Sequence, residues 1–116
     1  MPSLIIKVIK RPEDPWILNM TTPASLEYFS QSDITDVLSP FHKQVYAMPG
    51  LIGIEETTEG DIKTVKYTFD TTENMANSRA VMVESDLAKR RAEVIRLAMA
   101  NHNIPPYTMV KMFDNE

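Results

Sequence analysis

The 116-residue chain has no cysteine, only three glycines and one tryptophan, and no apolar run approaching 18 residues. Without cysteine there are no disulfides, thiolate metal ligands or cysteine nucleophile, which suits a reducing, cytoplasmic setting. The glycines, at Gly50, Gly53 and Gly60, match neither a dinucleotide-binding GxGxxG nor a Walker A loop. No Gly-x-Ser-x-Gly elbow is present either. The absence of a long apolar run argues against a membrane partner. The start, Met1 to Lys7, lacks a basic region followed by a long apolar one, so no signal peptide is expected.

Positive charge is also short. Twelve basic residues face sixteen acidic ones, for a net charge of −4, and residues 24–83 hold four basic against nine acidic. Phosphate neutralisation supplies much of nucleic-acid affinity, so this balance argues against a nucleic-acid partner. The dense basic cluster, Lys89, Arg90, Arg91 and Arg96, is interleaved with Glu84, Asp86 and Glu93. It reads as a solvated helix face laced with ion pairs.

What is present is a sequence of well-marked elements in one expected domain, residues 1–116. Residues 3–11 are rich in β-branched side chains, with Leu4, Ile6 and Val8 on one face and Ile5, Lys7 and Ile9 on the other. Apolar groups on both faces suggest a central strand, which Pro12 and Pro15 end. Trp16 to Met20 suggests a short extended piece or a second edge strand, Thr21 to Pro23 a break, and Ala24 to Phe29 a short helix. Ser32 and Asp33 are cap-type residues ahead of a helical stripe, Ile34, Val37, Leu38, Phe41, Val45 and Met48. Pro40 interrupts the stripe, so Ser39-Pro40 predicts either a kink or a fresh N-cap and N1 pair. Pro49-Gly50 stops the helix.

Leu51 to Thr57 and Ile62 to Asp70 read as strands around a turn at Glu59-Gly60-Asp61. In the second, Val65, Tyr67 and Phe69 alternate with Thr64, Lys66 and Thr68, giving one dry and one wet face. Asp70 with Glu73 suggests a capping box. The apolar spacing then runs from Met75 through Met99, with Ala92 in the stripe and a break expected at Ser85-Asp86. Asn101, Asn103 and Pro105-Pro106 close that helix, and Tyr107 to Phe113 alternates as a last strand. The order is strand, helix, strand, strand, helix, strand, which predicts an α+β, ferredoxin-like βαββαβ fold. Its helices would lie on one face of an antiparallel sheet, and the other face would need a partner.

The stretch Lys43-Gln-Val-Tyr-Ala-Met-Pro-Gly-Leu-Ile-Gly-Ile-Glu resembles the dimeric α+β barrel family. So does Val65-Lys-Tyr-Thr-Phe-Asp-Thr-Thr-Glu-Asn-Met-Ala-Asn-Ser-Arg-Ala-Val. In that family a helix ends at Pro-Gly, runs into an apolar strand, and a later strand carries an aromatic residue just before a helix. Phe69 stands where tryptophan is often found. The resemblance implies a homodimer that pairs two sheets. It also implies a choice among cofactor-independent monooxygenases, haem-degrading enzymes, isomerase-like enzymes and members without known chemistry. The second half of an RNA recognition motif is similar in its elements. However, the first strand lacks aromatics, and Tyr67 and Phe69 share the dry face with Val65, so no base-stacking platform is expected.

Candidate functional residues are few. His42 and His102 lie far apart with no metal-ligand spacing, and no metal or cofactor is expected. Glu55, Glu56, Glu59 and Asp61 gather around a turn as a solvated loop. Eight methionines are many for this length; they read first as ordinary core filler, and otherwise Met109 and Met112 with Phe113 form a plastic contact surface near the C-terminus. Trp16, after a rigid Pro-Glu-Asp-Pro lead, is a candidate sheet cover or interface anchor. Two functions follow. The first is a small homo-oligomeric binding or regulatory protein, a host-modulating factor of phage type, meeting itself or another protein through Trp16, Met109, Met112 and Phe113. The alternative is a cofactor-independent dimeric α+β barrel enzyme, monooxygenase- or isomerase-like, acting on a small apolar organic molecule. His42, Asn19 and Trp16 would then line its pocket.

Overall fold

The computed structural model describes residues 1–17 and 28–114. Its first elements are β1 (Ser3–Ile9), α1 (Gln31–Asp33), a π-helical segment (Ile34–Leu38), α2 (Ser39–Tyr46) and β2 (Leu51–Glu59). Then come β3 (Ile62–Phe69), α3 (Thr72–Arg79), a second π-helical segment (Ala80–Glu84), α4 (Asp86–Asn101) and β4 (Thr108–Asp114). The expected pieces at Trp16–Met20, Thr21–Pro23 and Ala24–Phe29 fall largely outside the described residues.

The strands make one sheet in the order β2-β3-β1-β4, with every neighbouring pair antiparallel. Each half of the chain inserts a strand into the other: β3 lies between β1 and β2, and β1 between β3 and β4. That is the ferredoxin-like α+β arrangement. The chain forms two compact units. One comprises Met1–Asp14, Met48–Arg79 and Tyr107–Glu116, and the other Pro15–Ala47 and Ala80–Pro106.

The first unit holds the sheet and α3, which lies against β3 and β1. Registers such as Leu4 with Tyr67 and Ile6 with Val65 put the dry residues of the two central strands on one face. Val65, Tyr67 and Phe69 are completely buried, and Leu4, Ile6 and Val8 nearly so. Full burial of such side chains is worth about 1.5–3 kcal/mol each. The same face carries Lys63, 7% exposed, which is tolerable because its ammonium lies 3.3 Å from Glu56. Gly60, at φ +58°, makes the hairpin turn. Gly50 has φ +75°, and a Cβ there would run into the Asp70 carboxylate and the Asn74 side chain. The Pro49-Gly50 stop is thus a close approach as well as a turn.

The start of α3 differs from the expected capping box. The hydroxyl of Thr71 accepts from the Asn74 backbone N–H at 3.1 Å, and the Asn74 amide donates to Asp70 at 2.8 Å. A threonine hydroxyl one residue later has taken the cap, and Asp70 serves the side chain instead.

In the second unit, Ser30 rather than Ser32 or Asp33 caps α1, accepting from the Asp33 N–H at 3.1 Å. Helix α2 begins at Ser39-Pro40 with the proline in its first turn, but Leu38 before it is already helical, so Ser39 is not an N-cap. Ser39 is helical at φ −67°, ψ −44°, and its N–H donates to the Ile34 carbonyl five residues back. Pro40 supplies the reason. It has no N–H for the Asp36 carbonyl, and its ring would crowd that oxygen, so the helix widens by one residue. Val37, Leu38, Phe41 and Val45 are buried as the stripe predicts. The predicted break at Ser85 is present: its hydroxyl accepts from the Ala88 N–H at 3.1 Å. Helix α4 packs against α2 and buries Ala88, Ala98 and Met99, while Ala92 is exposed. Asn103, at φ 57°, ends α4 in the left-handed conformation that asparagine tolerates.

Candidate functional site

In the sheet unit, exposed apolar groups gather on β4, an edge strand. All seven of its residues are exposed. Met109 keeps 49% of its surface, Val110 41%, Met112 38% and Phe113 51%. Pairing of β4 with β1 puts Met109 opposite Val8 and Phe113 opposite Leu4, but Val110 opposite Lys7 and Met112 opposite Ile5. The strand therefore shows apolar side chains on both faces, because its Val-Lys-Met run is out of phase with the Val-Lys-Tyr run of β3. The face carrying Ile5, Lys7 and Ile9 continues through Lys66, Thr64 and Ile62 on β3 to Glu55, Thr57 and Glu59 on β2. It is apolar towards β1 and β4 and charged towards β2.

The other edge is guarded. β2 carries Glu55, Glu56 and Glu59, and its pairing with β3 shifts between Leu51 and Gly53, where Ile52 is the extra residue. Charges and bulges are devices that blunt an edge against pairing with another chain. β4 has neither a bulge nor a proline, and only Lys111 and Asp114 as charges.

In the helical unit, His42 sits on α2, half-buried, with Tyr46 one turn on. Their rings meet edge to face, centroids 4.7 Å apart and planes at 64°. The His42 Nδ1 atom is buried, with no hydrogen-bond partner among the described residues. A buried polar atom without a partner costs about 1–3 kcal/mol, so this nitrogen is out of the ordinary. Its neighbour Phe41 is capped by the Arg91 guanidinium, 4.6 Å from the ring centre. Arg91 is thus half-buried, with its guanidinium against an aromatic ring. Arg96 is part of the solvated face that the basic cluster predicted, donating to Glu93 at 3.0 Å. Glu93 is held below its ordinary carboxylate value by that bond. His102 meets Tyr28 edge to face at 4.7 Å.

Trp16 is half-buried, and Asn19 lies outside the described residues. Trp16 and His42 belong to the helical unit, Met109, Met112 and Phe113 to the sheet unit. Sequence reasoning missed Tyr46. The signal was available: an aromatic residue four positions after a histidine on a helix stands over it. Among the described residues no group of three or more His, Asp or Glu side chains could hold a metal ion, and no helix is long and apolar enough to cross a membrane.

No protein-family model matches the chain, and no curated protein matches it. Among solved structures it is similar to Rv0793 from Mycobacterium tuberculosis, with 12% identity and a TM-score of 0.46 over 99% of this chain and 95% of that one. It is also similar to a protein from Chloroflexus aurantiacus J-10-fl proposed to be an antibiotic biosynthesis monooxygenase. There the identity is 12% and the TM-score 0.39, over 99% of this chain and 93% of the other.

Proposed function

We propose that the chain is a cofactor-independent enzyme of the dimeric α+β barrel sort, monooxygenase- or isomerase-like, acting on a small apolar organic molecule with His42 as its acid–base group. The unpartnered buried Nδ1 of His42 supports this reading. An imidazole nitrogen with an open hydrogen-bonding position can take a proton from a substrate brought within reach. The test is turnover of a panel of small aromatic and aliphatic carbonyl and hydroxyl compounds, under air and under argon, with products read by mass spectrometry. His42→Ala should lower turnover by about 10²-fold or more while the circular dichroism stays unchanged. A panel without turnover, or turnover indifferent to the substitution, sinks the reading.

A second reading, a binding or regulatory protein that self-associates, is favoured by β4, whose Met109, Val110, Met112 and Phe113 are all exposed. Mass in solution tests it. The protein should sediment as a dimer or larger, and Val110→Lys with Met112→Lys should yield monomer. A monomeric wild type would remove this reading and leave the enzyme reading without its dimer.

A further inference from the structure

We infer that His42 is held as the Nε2–H tautomer, with a bare lone pair at Nδ1, and that with Tyr46 it recognises a neutral planar molecule donating an N–H or O–H hydrogen bond. This rests on the reading that a small organic molecule is handled at His42, and it names what such a molecule must carry. Nδ1 is enclosed and has no partner among the described residues. A proton on it would be a buried N–H without an acceptor, the rarer and costlier of the two possibilities. The proton therefore resides on Nε2, and Nδ1 is an acceptor waiting for a donor. A carboxylate, phosphate or ether would bring lone pairs against a lone pair. A donor supplies what is missing, and the gain is large because the atom is already desolvated.

Tyr46 sets the shape. Its ring stands against His42 at 4.7 Å yet is 54% exposed, so it offers an aromatic surface at which a planar guest can stack. Because solvent does not touch Nδ1, a guest reaches it only when a side chain turns aside.

Indole and benzofuran test this, since they share a shape and differ by one N–H. Binding is followed in the full-length protein by nitrogen-15 spectra of the His42 imidazole. The free protein should show an unprotonated Nδ1, and indole should bind about tenfold more tightly than benzofuran, the value of one hydrogen bond. Indole should also move the Nδ1 resonance. His42→Phe keeps a ring and removes the lone pair, so it should bind both probes equally. Tyr46→Phe, which keeps the ring, should retain the preference. A proton found on Nδ1, equal binding of the two probes, no binding of either, or a preference that survives His42→Phe would each overturn the inference. An idle turnover panel with the indole preference intact removes only the enzyme reading, while turnover without that preference removes only this inference.

Discussion

Strands β3 and β4 flank β1 and carry nearly the same run, Val65-Lys66-Tyr67 and Val110-Lys111-Met112. In β3 the valine and tyrosine are completely buried, whereas in β4 the valine and methionine are 41% and 38% exposed. Two causes separate them. β3 has a strand on each side and β4 only one. In addition, Ile6 faces Val65 on one side and Lys111 on the other, so the two runs meet β1 one residue out of phase. A one-residue change of register sends every side chain of a strand to the opposite face. The same composition thus builds a core in one strand and leaves apolar side chains exposed in the other.

Truncation should divide the two strands most sharply. Tyr67→Ala or Phe69→Ala should cost about 3–5 kcal/mol in denaturant unfolding, while Met112→Ala in the dilute monomer should change stability by no more than about 0.5 kcal/mol. A cost above about 2 kcal/mol for Met112→Ala would mean that β4 is covered, and the contrast would fail. The lysines sharpen it next. Lys63 is buried beside Glu56, so Lys63→Ala leaves a carboxylate short of its partner and should cost about 1–3 kcal/mol, while Lys111→Ala should be nearly neutral. Of similar size is Gly50→Ala at the entrance to β2, where φ +75° and the nearby Asp70 and Asn74 side chains forbid a Cβ. It should cost about 1–3 kcal/mol by the same unfolding measurement. Away from the sheet, Ser85→Ala removes the cap of α4 and should cost about 1 kcal/mol, visible as a lower thermal midpoint.

The smallest effect concerns the chain just beyond β1. Arg11 donates to both carboxylate oxygens of Asp14 at 3.0 Å. That hydrogen bond, above all, holds Asp14 below its ordinary value and Arg11 above its own. A depressed carboxylate contributes stability that is present above its unfolded value and lost as the pH falls through its folded one. Unfolding midpoints between about pH 5 and 2 should therefore fall less steeply in Arg11→Ala than in the wild type. Parallel curves would show that the clasp contributes nothing.

Much of the fold was legible along the chain because the forces that mark it are local. β-branched alternation marks strands, Gly60 marks a turn, and a serine ahead of an apolar stripe marks a helix start. The misreadings came from competition between local options. Ser30 outcompeted Ser32 and Thr71 outcompeted Asp70, since capping side chains a residue or two apart are equivalent until the backbone chooses. The candidate site was only half legible. His42 and the methionines could be named as residue types. That Nδ1 is enclosed without a partner, or that Tyr46 stands against it, depends on what surrounds the helix.

The sequence by itself determined which residues are strand or helix and which side chains share a face, because those periods are properties of the backbone. Only the tertiary structure decided which strands would pair and which phase β4 would take against β1. The pairing of β4 with β1 joins residues about a hundred positions apart, and nothing in a two-residue period records its partner.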